Sequence, residues 1–168
     1  MNHEEQVEKM KDIMAKFLGH TAIRLPDDVI EKLEELRDKE DTPLAKVIYR
    51  TMFRNQMLAE KLQRPSCQDT GVPQFWIRCG TKFPLIDDLE KLLRDSVVKT
   101  SFETPLRLNS VETFSEYNTG KNVGKGTPTI WWDMVPHSDQ CEIYTYLSGG
   151  GCSLPGCATA VSYTHLTL

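Results

Sequence analysis

The sequence has no long hydrophobic run and no excess of basic charge. Its 168 residues include 20 Lys or Arg and 24 Asp or Glu, for a formal net charge of −4. Basic residues are interleaved with acidic ones instead of forming a patch, which gives no reason to expect a nucleic-acid partner. No apolar run approaches the roughly 18 residues that span a bilayer, and the N-terminus is charged where a signal peptide would be hydrophobic. We therefore expect no membrane partner and a cytoplasmic location.

The cysteines lack the even number and regular spacing of a disulfide framework. There are five of them, which favours a reducing compartment and thiols that are free to bind metal. The four histidines are scattered without the spacing of metal ligands. With 39% apolar and 26% charged residues, the chain has the composition of one soluble globular domain.

Three helices are predicted in the first third of the chain. In residues 4–18 apolar side chains recur at three- and four-residue spacing and form one stripe: Val7, Met10, Met14, Phe17 and Leu18. The segment LPDDVIEKLEELRDKE predicts a second helix with Pro26 at its first position and an inward face of Val29, Ile30, Leu33 and Leu36. Thr42 and Pro43 are typical of the start of a third helix, which Arg64-Pro65 would end.

The residue spacing changes in the second part of the chain. QFWIRCG predicts a strand that ends at Gly80, and PLIDDLEKLLRDSVV returns to helical spacing. PTIWWDMV and CEIYTYLS predict two further strands, and the turn-like PHSDQ between them predicts that they pair as a hairpin. Helices followed by strands indicate an α+β fold.

The segment RPSCQDTG places four polar or reactive side chains in a row: Cys67, Gln68, Asp69 and Thr70. Neither a strand nor a helix would keep such a run on one face, so the segment predicts a loop that carries function. Simpler explanations exist for the single residues, because a lone cysteine is commonly a buried inert thiol and an Asp commonly caps its own turn.

Five segments follow one another in the order and spacing of a known family: PSCQDTG, PLRLNSVE, EYNTGKNVGKGTP, WWDMVP and YLSGGGC. On these segments the chain resembles the iron–sulfur hydro-lyases, the family of class I fumarases and L-tartrate dehydratases. The resemblance covers about residues 22–157 and is to the first part of the α subunit. The run GGGC-x-LPG is more similar to tartrate dehydratase than to fumarase.

The resemblance implies roles for the loop residues. Cys67 would be a ligand of a 4Fe-4S cluster in which one iron lacks a cysteine and can act as a Lewis acid on a 2-hydroxy acid. Asp69 would bind substrate and share in catalysis with Thr70, while the principal base stays unassigned. Gln68 would bind substrate carboxylate oxygens, although turn formation also explains Gln68 and Thr70.

Two further elements are implied to bind substrate. Arg107 offers the planar fork that suits a carboxylate, although an ordinary solvated arginine is the alternative. Gly149, Gly150 and Gly151 let backbone N–H groups approach a carboxylate or a cluster closely.

Residues 118–126 are interpreted as a loop that bears on the pocket, although glycine-containing loops commonly have no such role. Four cysteines are interpreted as non-ligands, with metal binding by the last two as the alternative: Cys79, Cys141, Cys152 and Cys157.

The domain prediction follows from the same resemblance. Residues 1–157 are predicted to be the N-terminal part of a catalytic domain. Residues 158–168 carry none of the family pattern and are predicted to be a non-native tail. The family's other cluster cysteines lie farther along the α subunit, so we expect this chain alone to be inactive.

The implied activity of the intact parent is dehydration of L-tartrate to oxaloacetate, with a β subunit and a second α subunit as partners. Fumarate–malate interconversion is the alternative reaction. A non-catalytic helical interaction module, whose cysteines bind zinc or nothing, is the alternative class of protein.

Overall fold

The computed structural model describes residues 2–67, 69–112 and 114–149. In chain order these ranges form helices α1 (His3–Ile23), α2 (Asp27–Lys39) and α3 (Pro43–Leu62), strand β1 (Val72–Gly80), helix α4 (Leu89–Glu103), and strands β2 (Thr129–Val135) and β3 (Cys141–Ser148). The predicted α+β class is confirmed. The predicted tail at 158–168 and several predicted site or cysteine positions lie outside the described residues: Gln68, Gly150, Gly151, Cys152 and Cys157.

Strand β1 is the centre of a three-stranded sheet with the order β2-β1-β3. It pairs in parallel with β2 and antiparallel with β3, so that Trp76 lies opposite both Trp131 and Tyr144. The predicted hairpin between β2 and β3 is therefore wrong. The linker 136–140 instead crosses the end of β1, where a Cβ on Gly80 would lie 2.1 Å from the Ser138 carbonyl oxygen. The missing side chain of Gly80 makes this crossing possible.

Helices α1 and α4 cover one face of the sheet. The inward side chains of β1, Phe75, Ile77 and Cys79, are fully buried against apolar residues of both helices. The Thr100 hydroxyl of α4 donates to the Ala15 carbonyl of α1 at 2.8 Å, which fixes the register of the two helices. Each fully buried large apolar side chain contributes about 1.5–3 kcal/mol by removal from water. This face of the sheet is therefore the core of the described structure.

Some details of the helices differ from the predictions. Helix α4 begins at Leu89, and residues 84–88, predicted as helical, form turns. Pro26 is the N-cap of α2 and not its first residue. Phe17 is 43% exposed, because α1 meets α4 through the side of the helix that carries Met14 and Leu18.

The predicted inward face of α2 is only partly correct. No α2 residue is buried, and Val29 and Leu36 are exposed. Ile30 and Leu33 instead line a small apolar cavity of about 190 Å³ with Met52 of α3 and its neighbours. Among the described elements, helix α2 packs mainly on α3, so its apolar side chains have few neighbours. No helix of the described ranges is long and apolar enough to cross a bilayer.

Candidate functional site

The predicted functional loop connects α3 to β1. Gln63 ends α3 in a left-handed conformation, with φ of 51°, and Pro65 follows shortly. The side chain of Asn55 in α3 donates to the Ser66 carbonyl at 2.6 Å, and the Ser66 N–H donates to the Ala22 carbonyl of α1 at 3.0 Å. Ser66, the residue before Cys67, is thereby tied to two helices.

Three of the predicted site residues line one cleft. Cys67, Thr70 and Arg107 share an open depression of about 420 Å³ with Asn55, Pro65, Ser66 and Pro105. Cys67 and Arg107 are exposed to solvent in it, whereas Thr70 is buried. The volume falls within the range of roughly 300–1,000 Å³ that is typical of small-molecule sites. The cleft therefore has room for a small dicarboxylate.

A hydrogen bond joins the two loops that form the cleft. The backbone N–H of Arg107, just after α4, donates to the Thr70 hydroxyl oxygen at 3.0 Å. Thr70 is only 8% exposed, so this bond lies at the floor of the cleft and not at its rim. It places the root of the Arg107 side chain next to the loop that carries Cys67.

Asp69 lies beside the end of β3. Gly71 has a φ of +83°, and a Cβ there would lie 2.6 Å from the Ser148 backbone carbon. This close approach brings Asp69 against Gly149, where a Cβ would lie 3.2 Å from the Asp69 Oδ2 atom. A side chain at Gly71 would push the strand end away from the loop. The structure thus brings the first of the three predicted glycines to Asp69.

The surroundings of Cys67 suit a metal ligand. Its thiol is free and exposed beside polar groups. Within residues 2–67, 69–112 and 114–149, no group of three or more His, Cys, Asp or Glu side chains is placed to hold a metal ion. Because Cys thiolates hold a 4Fe-4S cluster, usually four of them, the described residues fit one ligand of a cluster and do not complete its set.

The other described cysteines lie away from the cleft. Cys79 and Cys141 face each other across β1 and β3, and Cys79 is fully buried. Burial, together with the hydrogen bond to Cys79, raises the pKa of Cys141 to about 12. A thiol that stays protonated is a poor metal ligand, so Cys141 is unfavourable for that role.

Asn122 lies in the loop of residues 118–126 that was interpreted as bearing on the pocket, but its contact with Arg107 was not predicted. Its side chain is buried, with 1% exposure, and it donates to the Arg107 carbonyl at 3.2 Å. Asn122 also has a left-handed backbone with φ of 57°, a conformation that Asn tolerates better than most residues. An Asn in a glycine-containing turn was the available signal, but it does not predict a contact with Arg107.

Comparison with known proteins shows which family and which proteins the chain is similar to. Residues 11–165 match the model of the family described as Fumarate hydratase (Fumerase). The chain is 46% identical over 155 residues to the L(+)-tartrate dehydratase subunit alpha of Escherichia coli O157:H7, covering 92% of this chain and 51% of that protein. The subunit of the same name from Shigella sonnei is 45% identical with the same coverage.

A more distant relative comes from Methanocaldococcus jannaschii, in which a protein provisionally given the same name is 32% identical over 146 residues. The match covers 85% of this chain and 51% of that protein. The chain thus spans about half the length of the curated relatives it matches.

Proposed function

Because this chain belongs to the fumarate hydratase (Fumerase) family, we propose that it is part of the α subunit of a hydro-lyase that converts L-tartrate to oxaloacetate. The observation that carries the proposal is the cleft in which Cys67, Thr70 and Arg107 meet. Relatives named for tartrate dehydratase support L-tartrate as the substrate. The name of the family supports fumarate–malate interconversion as the second candidate.

Arg107 is proposed to bind a substrate carboxylate. Its side chain is exposed at the cleft, while its backbone is held by Thr70. A guanidinium group is always charged and can donate two parallel hydrogen bonds to one carboxylate, which fixes the orientation as well as the position of the substrate. A dicarboxylate held in this way presents its C2 hydroxyl and C3 hydrogen at a fixed place in the cleft.

Cys67 is proposed to be one thiolate ligand of a 4Fe-4S cluster. When bound, such a cluster supplies a Lewis-acidic iron that makes the substrate hydroxyl a better leaving group. The contribution of this chain is an exposed thiol whose neighbouring peptide is anchored to α1 and α3. The remaining ligands are expected outside the described residues.

Asp69 and Thr70 are proposed to act on the reacting atoms. Dehydration removes a hydrogen from C3 and the hydroxyl from C2 of tartrate, and the resulting enol rearranges to oxaloacetate. The Asp69 carboxylate can orient the substrate or share in the proton transfer, since it is half-buried next to Gly149. Gln68 and the glycines Gly149, Gly150 and Gly151 are proposed to complete the binding of the carboxylates.

The proposed partners are a β subunit and a second α subunit in the cytoplasm. The relatives are named as alpha subunits, which supports an enzyme of more than one kind of subunit. We propose that residues 1–157 are the N-terminal part of the catalytic domain. We also propose that the chain alone is inactive, because Cys67 would be one cluster ligand and the described residues contain no group of three or more metal-binding side chains.

The proposal is tested with a subunit of full family length that carries this sequence, purified without oxygen together with a β subunit. We expect turnover of L-tartrate with a kcat/KM above that for malate, and a loss of about 10²–10⁴-fold in kcat for Asp69→Asn. Asp139→Asn, an exposed carboxylate in the linker before β3, is the matched control and should retain full activity. Unchanged turnover in Asp69→Asn would contradict the catalytic role, and absence of any turnover would favour a non-catalytic module.

A further inference from the structure

The side-chain amide of Asn122 connects three parts of the chain. Its Nδ2 donates to the Ser101 hydroxyl of α4 at 3.0 Å and to the Arg107 carbonyl at 3.2 Å. Its Oδ1 accepts from the Ser110 N–H at 3.2 Å. The side chain is buried, so water cannot easily replace these partners if they are lost.

The partners fix the orientation of the amide. A backbone N–H can only donate and a backbone carbonyl can only accept, so exchanging Oδ1 and Nδ2 would set like groups against each other at Ser110 and Arg107. The third partner is itself anchored, because the Ser101 hydroxyl donates to the Val97 carbonyl at 2.8 Å. Val97 is fully buried in the core. Asn122 therefore links the Arg107 loop to the rigid part of the fold.

Arg107 is held on both sides of its Cα atom. Its N–H is bound by Thr70 and its carbonyl by Asn122. With both peptide groups fixed, the remaining freedom of Arg107 lies in its side-chain torsions. An arginine on a fixed backbone loses less conformational freedom when it binds an anion.

We propose that Asn122 is a positioning residue that holds the Arg107 backbone so that the guanidinium group meets a substrate carboxylate. The inference rests on the proposed role of Arg107 in binding a dicarboxylate. Asn122 would affect the reaction by positioning Arg107, without contacting the substrate itself.

The structural half of the proposal is tested on the 168-residue chain itself by amide hydrogen exchange. Asn122→Gly keeps a residue that tolerates the left-handed backbone and removes the amide group. Glu116→Gly is the matched control, since Glu116 is also left-handed, with φ of 54°, but has an exposed side chain. We expect exchange at the Ser110 N–H to accelerate about 2- to 10-fold in Asn122→Gly, as expected for one lost hydrogen bond, and to stay unchanged in Glu116→Gly. Equal exchange in all three proteins would overturn the proposal.

The functional half is tested by a double-mutant cycle in the full-length subunit with its β partner. We expect Asn122→Gly to raise KM for L-tartrate about 10-fold with a smaller change in kcat, and to have no further effect on kcat/KM in an Arg107→Ala background. An equal loss in both backgrounds would show a merely structural role and overturn the inference while leaving the proposed function intact. Full activity of Arg107→Ala alone would remove the substrate role of Arg107 and overturn both.

Discussion

The backbone N–H of Arg107 donates a hydrogen bond to the hydroxyl oxygen of Thr70, 37 positions earlier in the chain, at 3.0 Å. This bond joins the loop before β1 to the loop after α4 and so closes the floor of the cleft. Neither loop would define a binding site alone. The proposed function depends on the two being held together.

Replacing Thr70 tests this connection. Thr70→Val keeps the shape of the side chain and removes the acceptor, whereas Thr70→Ser keeps the acceptor. We expect Thr70→Val to lower the free energy of unfolding by about 0.5–1.5 kcal/mol, because the partly buried hydrogen bond from the Arg107 N–H loses its acceptor. The free energies come from urea denaturation of the 168-residue chain. A Thr70→Val protein as stable as the native chain, or less destabilised than Thr70→Ser, would contradict the connection.

The described thiols should differ sharply in reactivity. Cys67 is exposed, Cys79 is fully buried, and the pKa of Cys141 is raised to about 12 by burial and by its hydrogen bond with Cys79. Only thiolates react readily with iodoacetamide, so Cys67 should be alkylated first of the three. Peptide mapping by mass spectrometry measures the order. The chain unfolded in urea is the control, in which all three thiols should react. Alkylation of Cys79 before Cys67 in the folded chain would contradict the predicted order of reactivity.

Substitutions at two glycines with left-handed backbones distinguish the cost of conformational strain from the cost of a steric contact. Gly71 has φ of +83° and lies against the Ser148 backbone, while Gly120 has φ of +68° with nothing near a Cβ placed there. Gly120→Ala should cost only the left-handed strain of about 1–2 kcal/mol. Gly71→Ala should cost clearly more, because β3 must also move. Thermal or urea unfolding of both variants measures how much stability each substitution costs. Equal losses of stability would mean that Gly71 is not a contact point with β3.

A pH-dependent contact links α1 to α4. Lys99 donates to Asp12 at 2.7 Å, and this hydrogen bond, opposed by partial desolvation, lowers the pKa of Asp12 below its ordinary value of 3.8. A lowered pKa in the folded state stabilises the protein above the ordinary pKa, and the contribution is lost as the pH falls through the folded-state value. Asp12→Asn should therefore destabilise the chain at pH 7 and make little difference near pH 2.

The Asp12 effect is measured as the difference in the free energy of unfolding between the native chain and Asp12→Asn at each pH. Both side chains are partly exposed, so the difference should be small and should shrink with added salt. The Lys99→Met background is the control, in which the pH dependence of the difference should become weaker, with only the smaller effects of Lys11 and Lys16 on the pKa of Asp12 remaining. A difference that grows toward low pH would contradict the sign of the pKa shift.

Local patterns predicted the elements better than their arrangement. The spacing of Met14 and Leu18 predicted α1, and QFWIRCG predicted β1 from its third residue to its end, because these signals depend on residues close in the chain. The pairing of β2 with β3 was wrong because a five-residue linker fits a hairpin turn as well as a crossing over Gly80. The inward face of α2 was partly wrong because amphipathic spacing does not tell which surface will have a neighbour.

The candidate site shows the same limit. The polar run around Cys67 was visible as a loop, but its contact with Arg107 depends on the path of β1 and α4 between them. Only the family resemblance linked the two beforehand. The contact between Asn122 and Arg107 was missed because a buried amide that bonds a distant carbonyl has no periodic signature.

The most direct test of the central claim is to measure bound iron and L-tartrate turnover together in the full-length subunit with its β partner, prepared without oxygen. We predict that Cys67→Ser loses both iron and turnover, while Cys141→Ser, a thiol away from the cleft, retains both. A Cys67→Ser protein with the native iron content and full turnover would contradict the account.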